Sequence, residues 1–111
     1  MSPSQNIVPR ELYERLVKSF MEVIVLKELK SGNPLCGHDT RALIQKKFNI
    51  LLSSGTIYST LYSMERKGLI EGITDRKKRV YRLTEKGKET LESISGSSDK
   101  LVLLIKSILE K

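Results

Sequence analysis

Residues 49–70 read NILLSSGTIYSTLYSMERKGLI, and the fold turns on how this stretch divides. Ser53 suits a helix N-cap, because its hydroxyl accepts a hydrogen bond from a free amide of the first turn. Beyond it, Ile57, Leu61 and Met64 recur at the spacing of one buried helical stripe, which predicts a helix over 54–67. Opposite that stripe stand Gly55, Thr56, Ser59, Tyr62, Ser63 and Arg66. A helix that merely faces water is usually furnished with Glu and Lys. This face carries hydroxyls, a glycine and a tyrosine, with Arg66 and Lys67 towards its end. Small polar groups let a helix approach a surface closely and hydrogen-bond to it. The base edges and phosphates of a DNA major groove are one such surface. The plainer alternative is a Ser/Thr-rich surface helix without a partner, since both residues are only mildly poor helix formers.

Upstream lies a second helical pattern over 38–48, with Ala42, Leu43, Ile44 and Phe48 available for the core. Asp39 in its first turn and Lys46 and Lys47 in its last complement the helix dipole. Two helices joined by the short turn 49–52, the second with a face suited to contact, form a helix-turn-helix pattern. Before them, Pro9 suits the first turn of a helix that runs to about Lys30, with Gly32 as its stop. Leu12, Leu16, Phe20, Val23 and Leu26 line it, joined by Val17, Met21, Ile24, Val25 and Leu29. Its second half is apolar most of the way round, so it is covered on more than one side. The core can cover one side, and a second subunit is the simplest cover for the other. Residues 1–8 read as a flexible tail.

After Gly68 the period becomes alternating, and 69–73 and 79–83 read as two strands. The hairpin tip and second strand carry Arg76, Lys77, Lys78, Arg79 and Arg82. A basic hairpin directly after a helix-turn-helix is what a wing should look like, set on phosphates or in the minor groove. A solvated charged loop is the plainer reading. Thr84 then caps a further helix bearing Leu91 and Ile94, and Gly96-Ser97-Ser98 weakens or breaks it. Leu101, Leu104, Ile105, Ile108 and Leu109 resume a helical pattern. In heptads the inner places from Leu91 onward are apolar except Ser98, too short a run to establish a coiled coil. The tail is expected to pack on another helix; folding back on its own domain is the alternative.

Composition narrows the function classes. A chain of 111 residues with net charge +7 fits one compact domain with an anionic partner. The strongest basic cluster lies in a hairpin, which fits nucleic acid better than an acidic membrane surface. One cysteine excludes an internal disulfide and suits a reducing compartment. The N-terminus lacks the apolar core of a signal peptide, so a soluble, cytoplasmic protein is expected. Cys36 and His38 are the chain's one Cys and one His, and a protein-enclosed zinc site usually takes four such ligands. No metal, cofactor or catalytic residue is assigned, because no phosphate loop, nucleophile elbow or paired-carboxylate cluster is present.

The succession Gly37, then Leu52-Ser53-Ser54-Gly55-Thr56-Ile57-Tyr58, then Leu61, Met64-Glu65, Gly68-Leu69-Ile70, then Arg79, Tyr81, Leu83-Thr84-Glu85-Lys86-Gly87, resembles the winged-helix domain of PadR-type transcriptional regulators. The resemblance covers roughly residues 12–94. It implies a homodimeric DNA-binding repressor whose C-terminal helix packs against the first helix of the partner. It also places the family's recognition-helix aromatic on Tyr58, where it would steady a phosphate. The chain departs from the pattern in having Ser54 where Pro is frequent, His38 where an aromatic is common, and no Trp.

The expected architecture is therefore mostly α with a small β-hairpin: a winged helix-turn-helix over 9–95 and a C-terminal dimerisation helix over 96–111. The expected partner is double-stranded DNA, with no effector assigned. Ser54, Gly55, Thr56, Tyr58, Ser59, Tyr62, Ser63 and Arg66 are the recognition-helix candidates. Thr56, Ser59 and Ser63 are placed on base edges, Tyr58 and Arg66 on phosphate. Arg76, Lys77, Lys78 and Arg79 are the wing candidates. Leu16, Phe20, Ile24, Leu91, Ile94, Leu101, Leu104, Ile105 and Ile108 are the dimer candidates. A winged-helix protein-interaction module and a nonspecific architectural DNA binder are the alternatives. Single-strand or RNA binding ranks last, because it calls for exposed aromatics for stacking.

Overall fold

A computed structural model describes residues 8–110. Its elements, in order, are α1 (Arg10–Ser19), α2 (Met21–Lys30), α3 (Gly37–Phe48), α4 (Ser54–Arg66), β1 (Ile70–Asp75), β2 (Lys78–Leu83), α5 (Glu85–Ser95) and α6 (Ser98–Leu109). Apart from Val8, the expected N-terminal tail lies outside the described residues.

The core forms where α2, α3, α4 and the hairpin meet. Ile57, Leu61 and Met64 of α4 are buried, as their spacing requires, and pack with Met21, Val25 and Leu26 of α2, Ile44 of α3, and Ile50 and Leu52 of the connecting turn. Tyr81 and Ile70 close the core from the hairpin side. The strands pair antiparallel in the register Ile70↔Leu83 to Asp75↔Lys78. On the other edge of β2, Leu35 exchanges both backbone hydrogen bonds with Tyr81, at 3.2 and 2.8 Å, so the loop before α3 acts as a one-residue third strand.

The junction from α4 into β1 is a Schellman turn. Gly68 N–H donates to the Glu65 carbonyl and Leu69 N–H to the Met64 carbonyl, both at 3.0 Å. Gly68 holds φ +79°, a left-handed backbone that glycine adopts without steric cost. The next junction is equally tight. Thr84 Oγ1 accepts from Gly87 N–H at 3.0 Å and donates to the Gly68 carbonyl at 2.6 Å, so the α5 cap also holds the end of α4.

The sequence predicts one helix over 9–30, and the structure bends it at Phe20. There the N–H reaches the carbonyls of both Leu16 (3.1 Å) and Val17 (3.2 Å), with φ −101° and ψ 11°. The two halves have separate tasks. Arg10 Nη2 donates to the Asn49 carbonyl at 2.8 Å and the Tyr13 hydroxyl to the Phe48 carbonyl at 2.9 Å, tying α1 to the end of α3. Met21, Val25, Leu26 and Leu29 hold α2 in the core. Ala42, expected in the core, is exposed, and Thr40 is buried instead with its hydroxyl donating to the Cys36 carbonyl.

A second bend separates α5 from α6. Ser97 N–H bonds to the Ile94 carbonyl, one residue short of helical register, so the C-terminal pattern is broken at 96–97. α6 contains no buried residue, and its Val102, Leu103, Leu104, Ile105, Ile108 and Leu109 are 40–70 % exposed. The radius of gyration, 15.7 Å, exceeds the about 13 Å of a compact domain of this length because α6 leaves the body. Among the described residues, no helix is long and apolar enough to cross a membrane.

Leu61 is fully buried on the inner side of α4. Leu61→Ala is expected to cost about 2–5 kcal/mol in urea unfolding, the range for truncating a buried leucine that leaves a cavity.

Candidate nucleic-acid interface

α3 begins on an unusual cap. The Cys36 sulfur accepts from Asp39 N–H at 3.4 Å, and the Asp39 carboxylate accepts from Cys36 N–H at 3.3 Å. Hydrogen bonds from Cys36 hold the Asp39 carboxyl below the ordinary carboxylate range. Cys36 itself is buried. Further along, Arg41 Nε donates to the Leu52 carbonyl at 2.9 Å and so ties α3 to the turn that launches α4.

Ser53 caps α4 as its position predicts, accepting from Thr56 N–H at 3.1 Å. Its oxygen also lies 2.9 Å from Thr56 Oγ1. Thr56 is half-buried, with its hydroxyl engaged in the cap. Ser54, Gly55, Tyr58, Ser59, Tyr62 and Arg66 are exposed along the outer face, and Ser63 is half-buried. The rings of Tyr58 and Tyr62 lie 5.9 Å apart between centroids.

Tyr58 also leans on α3. A Cβ placed on Gly37 would sit 2.5 Å from the Tyr58 ring, so a larger residue there would require the Tyr58 side chain to shift. Beside this contact is a cleft of about 120 Å³ lined by Gly37, His38, Arg41, Ser54, Ile57 and Tyr58. It joins the start of α3 to the start of α4 and presents a guanidinium, an imidazole and two hydroxyls. Sequence reasoning missed Arg41 and His38 as interface candidates. Their signal is the three-residue spacing that puts both on the side of α3 occupied by Tyr58.

The hairpin turns in two residues. Arg76 and Lys77 both have positive φ, 52° and 67°, the geometry usually given to Asn-Gly. The strands thus run one or two residues further towards the tip than the alternating pattern indicates. Charge is unevenly committed. Lys67 pairs with Glu22 at 2.8 Å, Arg82 with Glu71 at 3.0 Å, and Arg79 with Glu65. Among the described residues, none of the ion pairs includes Arg66, Arg76, Lys77 or Lys78. Arg79, expected to face DNA, is turned back towards the body, with its guanidinium 5.7 Å from the centre of the Tyr81 ring. Burial pushes the Tyr81 phenol above its ordinary value.

The dimer candidates divide in the same way. Leu91 is 4 % exposed and belongs to the domain's own core, which corrects its expected place at an interface. Leu16, Leu104, Ile105 and Ile108 are exposed, while Phe20, Ile24, Ile94 and Leu101 are half-buried. Tyr13, Leu16, Val17, Phe20, Ile24 and Phe48 line an apolar hollow of about 300 Å³ beside the bend of α1 into α2.

A capped outward-facing helix, a preceding helix at its base and a basic hairpin after it define a winged helix-turn-helix. Solved structures share that fold. A PadR family transcriptional regulator of Eggerthella lenta aligns at TM-score 0.76 and 20 % identity, covering 91 % of each chain. A PadR-like transcriptional regulator of Bacillus cereus aligns at TM-score 0.72 and 25 % identity, covering 87 % of this chain and 98 % of its own. A winged-helix DNA-binding protein of STIV aligns at TM-score 0.58 and 24 % identity, covering 85 % of this chain and 92 % of its own. No curated protein matches the sequence. Residues 25–93 match the model of the transcriptional regulator PadR-like family, and the chain belongs to that family. It is a winged-helix, DNA-binding regulator of transcription.

The left-handed Arg76-Lys77 pair sets local strain against an exposed charge. Replacing it with Asn-Gly is expected to raise stability by about 1–2 kcal/mol, seen as a higher urea midpoint. The same change should weaken duplex binding and reduce its salt slope by about one unit per lost phosphate contact.

Proposed function

We propose that the chain acts as a homodimeric, sequence-specific repressor, with α4 in the major groove and the wing on the flanking backbone or minor groove. The observation that carries this reading is the distribution of unpaired cations. Arg66 ends the hydroxyl-rich face of α4, and Arg76, Lys77 and Lys78 occupy the wing tip, while Lys67, Arg79 and Arg82 are each paired with a carboxylate of the domain. Ser59 and Ser63 read base edges. Ser54 and Gly55 allow close approach, and Thr56 holds the cap. Tyr58, Tyr62 and Arg66, joined by Arg41 and His38 in the cleft, engage phosphates. Positioning contacts of this kind carry little sequence information themselves and fix the register in which the serines read.

Residues 9–95 form the DNA-binding unit and 96–111 the dimerisation segment. The exposed apolar residues of α6 supply one surface, and the α1 side with Leu16, Phe20 and Ile24 supplies the surface that α6 of a second copy covers. A symmetric dimer would space its two α4 helices by about 34–36 Å, one turn of DNA. Bound across a promoter in the cytoplasm, it would exclude polymerase without further machinery.

Selection from a random duplex pool, at low and near-physiological salt, tests this. An inverted-repeat motif that persists at the higher salt is expected. Tight binding without a motif, lost as salt rises, would mean a nonspecific architectural role; no binding at all would favour a protein-interaction module. Ser59→Ala should change preference among sites, whereas uniform weakening would move Ser59 to the backbone. Leu104→Glu with Ile108→Glu should give a monomer by sedimentation and a loss of operator affinity of about a hundredfold or more, since the second half-site's contacts no longer add.

A further inference from the structure

Glu65 lies in the last turn of α4 and makes two bonds that leave the helix. Its Oε2 accepts from the Gly72 N–H of β1 at 3.1 Å and from Arg79 Nη2 of β2. One carboxylate oxygen of the recognition helix therefore grips both strands of the wing. The site is closely fitted: a Cβ on Gly72 would stand 2.7 Å from the Arg79 guanidinium, and Gly72 pairs directly with Tyr81. The guanidinium lies over the Tyr81 ring, whose side chain is fully buried. Arg79 is thus held at once by a carboxylate on α4 and by an aromatic face of the core.

We infer that Glu65 and Arg79 are positioning residues that set the angle of the wing to the recognition helix. The inference rests on the DNA-binding reading above and adds to it what aims the wing. The Gly68 turn, Thr84 and the Leu35–Tyr81 pair hold the base of the hairpin, whereas the clamp ties it directly to α4 part-way to its tip. From residue 69 to residue 76 the strand runs about 23 Å at 3.3 Å per residue. A swing of about 10° therefore moves Arg76 and Lys77 by about 4 Å, two-thirds of the width of a minor groove, about 6 Å. That displacement is enough to separate wing contacts from groove contacts.

The charge of Glu65 makes the inference decisive to test, because two effects have opposite signs. The carboxylate stands beside an interface for a polyanion. If it acted only as a charge, Glu65→Gln would strengthen binding to any duplex. If it aims the wing, the same change weakens binding to the operator. Arg79→Lys supplies the complementary variant, since it keeps the charge and loses the planar fork that reaches Glu65 while stacking on Tyr81.

The full chain and its selected operator are used, with a random duplex of equal length for comparison. Glu65→Gln is expected to lose about tenfold on the operator while holding or gaining about twofold on random duplex, where added positive charge favours binding. Arg79→Lys is expected to lose about five- to tenfold on the operator with an unchanged salt slope. In both variants the Gly72 amide should exchange with deuterium at least about tenfold faster, as its acceptor is weakened in the first and no longer held by the guanidinium fork in the second. The Tyr81 amide, bonded to the Leu35 carbonyl, should keep its rate and so report an intact fold. Equal tightening of Glu65→Gln on both duplexes, or a Gly72 amide that exchanges at the wild-type rate, would overturn the inference. A wild-type chain that selects no operator would overturn the function proposed above; the Gly72 exchange rates would then decide the clamp separately.

Discussion

The structure depends on the burial of one side of α4. Ile57, Leu61 and Met64 are each at most 1 % exposed, packed against α2, α3 and the turn between α3 and α4. That seat fixes the rotation of the helix about its axis, and so decides which residues face outward. Every later element is placed from its C-terminal end. The Schellman turn at Gly68 starts the wing, Thr84 hydrogen-bonds the same turn, and Glu65 reaches the hairpin. Loosening α4 would therefore disturb the reading face and the wing together.

Electrostatics follow the same division between framework and interface. Four of the five ion pairs among the described residues join separate elements, including α4 to the hairpin through Glu65 and Arg79. They are largely exposed and contribute little each to stability. Their effect on function is larger, because they determine which cations remain uncompensated. Arg66 at the end of α4 and Arg76, Lys77 and Lys78 at the wing turn, where Arg76 and Lys77 hold a left-handed backbone, are among the cations outside these pairs.

The two bends matter in a different way. Phe20 and Ser97 share similar dihedrals, near φ −100° and ψ 10°, which interrupt a helix without proline. The first lets α1 reach the end of α3 while α2 stays in the core. The second carries α6 off the body with its apolar residues uncovered. So large an exposed apolar surface is uncommon on a monomeric domain.

The sequence by itself determined the winged helix-turn-helix, the cap at Ser53, the buried stripe of α4, the basic hairpin and the family. Each of these is written in local periodicity, capping chemistry or short motifs, where side chains a few residues apart decide the outcome. Other features were decided only by tertiary structure. Phe20 bends a helix whose residues read as continuous, because its two halves have partners far apart in the chain. Leu91 fits a heptad yet belongs to the core, since periodicity marks an apolar face but not what covers it. Arg79 reads as one more wing cation, and Arg41 and His38 read as ordinary surface residues. Glu65 lies fourteen positions from Arg79, and Arg41 eleven from Leu52. Which charge is neutralised and which is left free depends on such contacts, and no local pattern in the chain encodes them.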